Sequence, residues 1–390
     1  MFAILRNARN PLLRIGVVLS ALWLAACQPG GGNTGQRIDT SDTVAVALLV
    51  PGGSGQPGDE TLALSLQQAA QLAIADLQGV KIDLRVYNTG ASPALAAQMA
   101  NKAVDDGAKV ILGPVFAESA NAVGLAVANR NVNVLSFSNN ADIAGGNVFV
   151  LGQTFQNTAN RLVGYAASHG KRRILIVNDQ TPAGEVGARA IQNAISRSGA
   201  TFAGKASYSF SQQGVASAVP GIASRVKAGD VDALFLTADT AGALPMLAQL
   251  LPDQGVSAQQ TTFIGLTRWD IPNATLSIPG LQGGWFAMPD PGPNLQFQSR
   301  YQAAYGSAPH PIAGLAYDGV AAIGALVRSG RPDALTRSGL TQGAGFVGVN
   351  GIFRLLPDGT NERALSVVEI RNGQTVVIEG APRSFGGAGL

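Results

Sequence analysis

From residue 44 onward, short apolar runs alternate with stretches of helical periodicity, and this pattern restricts the fold more than any other feature of the chain. Val44–Val50 is a continuous apolar run of strand character, and after a Gly-rich loop Leu62–Leu77 places its apolar residues at helical spacing. A strand apolar on every residue is one covered on both faces, which is the βα unit of a parallel sheet. The same reading predicts strands at Ile82–Tyr87, Lys109–Leu112 and Val132–Ser136, with helices at Pro93–Val104 and Ser119–Ala128. One doubly wound sheet is nearly complete by residue 140.

After an extended segment at Asn147–Gly152 the alternation restarts. Strands are predicted at Arg173–Val177, Thr201–Tyr208, Ala233–Leu236 and Thr262–Gly265, between helices at Ala159–Ser168, Glu185–Ser198, Val215–Lys227 and Leu244–Leu250. Two further helices fall near Leu295–Tyr305 and Ile312–Arg328. Gly351–Leu356, the turn Pro357-Asp358-Gly359 and Leu365–Ile370 read as a terminal β-hairpin. The expected fold class is therefore α/β: two doubly wound parallel-sheet lobes around a cleft, with a C-terminal β-hairpin. Lobe 1 is assigned residues 43–150 plus 288–340, and lobe 2 residues 151–287 plus 341–380. Ligands of open α/β sheets bind at the carboxyl ends of the strands, which here face the cleft.

The first 26 residues have the layout of an export signal: Arg6, Arg9 and Arg14, an apolar stretch from Ile15 to Trp23, then the small residues Ala25 and Ala26. The apolar stretch is far shorter than the roughly 20 residues of a membrane-spanning helix. Leu24-Ala25-Ala26-Cys27 resembles the bacterial lipobox, which implies diacylation of Cys27; the alternative is an ordinary signal peptide with a chance cysteine. Gln28 in place of an aspartate favours an outer-membrane anchor, facing the periplasm, over the inner membrane. Residues 27–42 form the anchor and a Gly-rich segment, read as a flexible tether that holds the folded body clear of the bilayer.

Those three arginines matter to the charge argument, because no acid precedes Cys27. The whole chain has 27 basic and 24 acidic side chains, so without the export signal the two are equal. Nucleic acid is thus not an expected partner. A single cysteine rules out a disulfide scaffold, and the two histidines, His169 and His310, are too far apart in sequence to suggest a metal centre. No metal and no cofactor is expected.

Three motifs carry both a chemical and a structural reading. Gly53-Ser54-Gly55-Gln56-Pro57-Gly58 is a literal dinucleotide fingerprint, but no acid ends the second strand, where Tyr87 and Asn88 stand, so it reads as a cleft-rim loop. Ser168-His169-Gly170-Lys171 matches the nucleophile motif of penicillin-recognising enzymes, without the accompanying K-T-G or S-D-N, at the end of a helix. Trp269 and Trp285 bracket the return toward lobe 1 and read as core packing or as a cleft or partner contact. No catalytic constellation emerges, and no enzyme is expected.

Val46–Gly55, Val86-Tyr87-Asn88-Thr89, Gly107–Pro114 and Asn133–Ser138 together resemble the type I periplasmic binding fold of leucine/isoleucine/valine-binding proteins. Within that fold the sequence is most similar to the penicillin-binding-protein activator lipoproteins. The resemblance implies chain crossings near Phe149–Gln153, near Phe286–Pro289 and near the last hairpin. It also implies a cleft holding a small polar ligand. Phe116, Ser119, Ser136, Ser138, Asn139 and Asn140 would supply the lobe 1 donors. On lobe 2, Asp179, Asp239, Thr267 and Asp270 are the candidates, although Ala183 stands where family binders commonly place an aromatic ring. That weakened set implies a regulator that contacts a peptidoglycan synthase. The alternative is the substrate-binding protein of an ABC-type branched-chain amino-acid importer.

Overall fold

A computed structural model describes residues 33–385. Lobe 1 is a five-stranded parallel sheet of β1 (Val44–Val50), β2 (Ile82–Asn88), β3 (Val110–Leu112), β4 (Asn133–Ser136) and β5 (Val148–Val150), in the order β2-β1-β3-β4-β5. Side-chain alternation explains why β1 is apolar throughout. Val46, Leu48 and Val50 face one core, formed with α1 (Pro57–Asp76), α8 (Pro291–Tyr305) and α9 (Gly314–Arg328); Ala47 and Leu49 face a second, formed with α2 (Pro93–Asp105) and α3 (Ala117–Val127).

Lobe 2 follows the same rule. Its seven strands run β15-β14-β10-β9-β8-β6-β7. The parallel part comprises β6 (Arg173–Asp179), β7 (Thr201–Tyr208), β8 (Ala233–Leu236), β9 (Thr262–Gly265) and β10 (Trp285–Met288). The antiparallel edge is β14 (Ser366–Arg371) and β15 (Gln374–Glu379). Leu175, Val177, Leu234 and Leu236 enter one core with α6 (Gln212–Lys227) and α7 (Leu244–Asp253). Ile174, Ile176 and Phe235 enter the other with α4 (Phe155–Ser168) and α5 (Pro182–Ser196).

The end of the chain departs from the sequence reading. The turn at Pro357–Gly359 is present, but β12 (Gly351–Leu355) pairs with β13 (Asn361–Arg363) and with β11 (Phe346–Gly348), not with the segment from Leu365. Phe346, Phe353 and Leu355 lie in the lobe 1 core, so residues 346–355 belong to lobe 1 and the chain enters the lobe 2 sheet only at Ser366. Alternation on β12 explains this placement: its inward residues Phe353 and Leu355 join the lobe 1 core, whereas β14 is apolar at Val367, Val368 and Ile370, which fill lobe 2.

The described part of the presumed tether is also not free chain. Ile38 is buried in the lobe 1 core, and its N–H donates to the Pro332 carbonyl at 2.9 Å. The Asn133 amide donates to the Thr34 and Leu335 carbonyls, while Asn131 and Gly35 exchange two hydrogen bonds. One apolar residue with backbone partners on both sides is enough to turn residues 33–38 into a strap. Cys27 and the rest of the export segment lie outside the described residues. Among the described residues no helix is long and apolar enough to cross a membrane.

Candidate ligand cleft between the lobes

The lobe 1 wall is built from the loops after β3 and β4. Phe116 ends the first loop as the N-terminal flank of α3 and leaves its ring 40% exposed. In the second, side chains tie down the backbone step by step: Ser136 Oγ donates to the Pro114 carbonyl and accepts from the Ser138 N–H, Ser138 Oγ accepts from the Asn140 N–H, and Asn140 Oδ1 accepts from the Asp142 N–H. Such local bonds hold a loop that has no ladder of its own. Gly152 closes against it, since a Cβ there would stand 2.4 Å from the Ser138 carbonyl oxygen. The loop is thereby fixed to the first crossing between the lobes.

Between the lobes is a cavity of about 510 Å³, within the usual range for small-molecule sites. Of the residues expected from sequence, it brings together Phe116, Ser138, Asn139, Asn140 and Thr267. Ser136 sits one layer below, occupied by its own loop. Ser119 is buried in the first turn of α3, outside the cavity wall, and its hydroxyl has no partner among the described residues.

Lobe 2 uses its acids internally. Asp179 accepts from the Thr181 N–H at 3.0 Å and from the Thr181 hydroxyl, just before α5, so it anchors that turn. Asp270 is held by Arg268, whose Nε donates to it at 2.6 Å. Asp239 is exposed, and none of the three acids lines the cavity. The Gly53–Gly58 loop is likewise absent from the cavity wall; Gly53 N–H donates to Glu60 and the Ser54 hydroxyl to Asp59, which hold it on the start of α1. Trp269 is fully buried in lobe 2, packed so closely that a Cβ on Gly265 would lie 2.2 Å from its ring. Trp285 packs edge-on against Tyr165 and donates to Glu369 at 3.3 Å, also away from the cavity. The Ser168 hydroxyl donates to the Tyr165 carbonyl at the end of α4, a helix-terminal role.

Three crossings join the lobes, at residues 151–154, 289–290 and 364–365, and a buried polar network ties the first to the third. The Asn361 amide donates to the Val150 and Gly152 carbonyls, the Asn157 amide to the Asn361 carbonyl, and Arg363 Nε to the Leu151 carbonyl at 2.7 Å. Arg363 Nη1 pairs at 3.1 Å with Asp318 on α9, and these side chains are 2% and 0% exposed. Burial pushes the Asp318 carboxyl above the ordinary range, opposed by Arg363 and by the Asn350 amide. Removing either partner would strand the other charge, at about 3–5 kcal/mol. Such short crossings are where hinge closure of two rigid lobes takes place.

Gln153, Arg268, Asn350 and Arg363 also line the cavity, and none of them was among the expected site residues. Asn350 reaches it from the turn between β11 and β12, and Arg363 from the end of β13, a pairing not visible in sequence. The available signal was an arginine at an inward-facing position of β13, between two apolar stretches. Among the described residues no three His, Cys, Asp or Glu side chains gather into a metal-binding group.

The family profile for periplasmic binding proteins matches residues 43–375. Several solved structures share the fold. A branched-chain amino acid ABC transporter periplasmic ligand-binding protein from Burkholderia xenovorans has a TM-score of 0.67 at 17% identity, covering 88% of this chain and 97% of its own. An ABC transporter substrate-binding protein from Desulfitobacterium hafniense, in complex with Leu, has a TM-score of 0.64 at 19% identity, covering 86% and 100%. A solute-binding protein of an ABC transporter from Rhodopseudomonas palustris, in complex with 3,4-dihydroxybenzoic acid, has a TM-score of 0.58 at 19% identity, covering 87% and 96%. Comparison with curated protein sequences gives no match. With its two crossed-over α/β lobes, its interlobe cavity and a profile match over most of its length, the chain belongs to the periplasmic binding protein family.

Proposed function

We propose that this protein is the extracytoplasmic solute-binding component of an ABC-type importer and captures one small ligand between its lobes. The observation that carries this reading is the cavity: it lies at the carboxyl ends of both sheets, takes side chains from both lobes and abuts the crossings. The structural relatives described above, one holding leucine and one 3,4-dihydroxybenzoic acid, support it over the activator of peptidoglycan synthesis that the sequence resemblance put first. The activator reading rested on a depleted lobe 2, but the donors supplied by lobe 1 and the hinge leave the cavity equipped for a ligand. No catalytic step is assigned. A thermal-shift screen of the purified protein against amino acids, organic acids and peptidoglycan fragments tests this reading. A ligand at about 100 times its Kd adds about 2.7 kcal/mol to the folded state. A folded protein that no small molecule shifts would return the activator to first place.

Membrane attachment through Cys27 is part of the same proposal. Asn33, six residues on, accepts from the Ser338 N–H, so an acylated Cys27 would hold lobe 1 within about 20 Å of the lipid surface. Mass spectrometry of the mature N-terminus, expected to show a diacylated cysteine preceding Gln28, tests the anchor.

A further inference from the structure

The charged side chains that line the cavity are all of one kind, each paired with an aspartate behind the wall. Arg268 and Arg363 line it, whereas no aspartate or glutamate does among the described residues. Asp179 and Asp270, two of the lobe 2 acids expected at the cleft, are bonded to Thr181 and Arg268 within that lobe. Rotation of one lobe against the other leaves those contacts in place. An ammonium group brought into this space would lose its water and find no carboxylate on the wall to pair with, because Asp270 and Asp318 are already held by Arg268 and Arg363, a costly placement for a cation. A carboxylate meets the opposite situation, because it can accept charge-assisted hydrogen bonds from the guanidinium N–H groups that these pairs leave unused.

Arg363 is set up for that role. Its Nε and Nη1 are fixed by the Leu151 carbonyl and Asp318, and its guanidinium lies 4.7 Å from the centre of the Phe353 ring. Its Nη2, buried with the rest of the side chain, has no partner among the described residues, and the same holds for the Thr267 hydroxyl on the facing lobe. A donor already held in place loses little freedom when a ligand arrives. The rest of the wall is largely apolar, with Phe116, Phe137, Phe155, Leu266, Ile312 and Leu315.

We infer that the cleft selects an organic carboxylate with an apolar body and no amino group, its carboxylate oriented by Arg363 and Arg268. This inference rests on the solute-binding reading above and narrows it.

Isothermal titration of the purified protein with matched compounds tests it: leucine, 4-methylpentanoate and 3-methylbutylamine, then phenylalanine, 3-phenylpropanoate and 2-phenylethylamine, with benzoate added. The expected result is binding of at least one acid lacking the amino group roughly tenfold or more tighter than its amino-acid counterpart, with no heat from the amines. Arg268→Gln and Arg363→Lys, each checked for fold by circular dichroism, should weaken that acid by about tenfold. An amino acid that binds as tightly as its deaminated counterpart overturns the inference and leaves solute binding standing. Acid affinity unchanged in both folded variants overturns the role of the two arginines. No binding by any of the compounds overturns the inference, and the wider screen above then decides whether solute binding falls with it.

Discussion

In lobe 1 the loops after β3 and β4 place a ring, a hydroxyl and two amides at the cavity wall. In lobe 2 the loops after β6 and β9 turn their acids onto the chain beside them. Both lobes come from one βα repeat with the same two-sided cores, so the difference lies in the loops and not in the sheets. The aromatic residues do not divide in the same way: Phe116 of lobe 1 and Phe155 of lobe 2 both reach the cavity, whereas Trp269 of lobe 2 is sealed in its core. A repeated scaffold can thus give one lobe hydroxyl and amide groups at the cavity wall and the other a wall whose acids are already bonded within it.

The largest test of this contrast is Trp269→Ala, expected to destabilise the protein by about 3–5 kcal/mol in urea unfolding, as truncation of a core aromatic does. A loss below about 1 kcal/mol would mean that this ring is not structural. Asp318→Ala should cost a similar amount, about 3–5 kcal/mol, by leaving Arg363 buried without its partner. Ile38→Ala is expected to cost about 2 kcal/mol and to speed proteolysis between residues 33 and 42, since the strap is held by this one apolar anchor. Phe116→Ala should change stability by less than about 0.5 kcal/mol while weakening a cleft ligand by about tenfold, close to 1.4 kcal/mol. Asp239→Asn should leave ligand affinity within about twofold, since this acid is exposed and off the cavity wall; a larger loss would show that lobe 2 contributes an acid after all and would break the comparison.

The smallest expected effect is a pH dependence at the lobe 1 rim. Burial holds the His310 imidazole below its ordinary value of 6.5, and its Nδ1 accepts from the Ile312 N–H at 3.4 Å. Because the unfolded chain then binds the proton more readily, the contribution of His310 is complete above pH 6.5 and is lost as the pH falls through the folded value. The melting temperature should drop between pH 7 and pH 5.5, and drop less in His310→Gln. Equal drops in the two proteins would remove His310 from the account.

Much of the architecture was legible from the chain alone, because burial on both faces of a sheet writes itself as continuous apolar runs. Thr201–Tyr208, Ala233–Leu236 and Thr262–Gly265 have the bounds that periodicity predicts. Helix starts were less legible: α4 and α5 begin several residues early, at their capping Thr154 and Thr181. The loop after β4 that lines the cavity could also be located, since hydroxyl and amide residues follow directly on a buried strand. The fate of the lobe 2 acids could not, because whether Asp270 faces a ligand or Arg268 depends on side-chain direction in an irregular loop.

Sequence determined the repeated βα units, their two-faced cores and the position of a cleft at their carboxyl ends. These follow from local periodicity and from the handedness of parallel connections. Tertiary structure alone decided that residues 346–355 join lobe 1, that Ile38 anchors a strap, and that Arg363 meets Asp318 beside the cavity. Each of those pairs residues distant in the chain. Their energy comes from burying one group against another, and no pattern within either segment records which partner that will be.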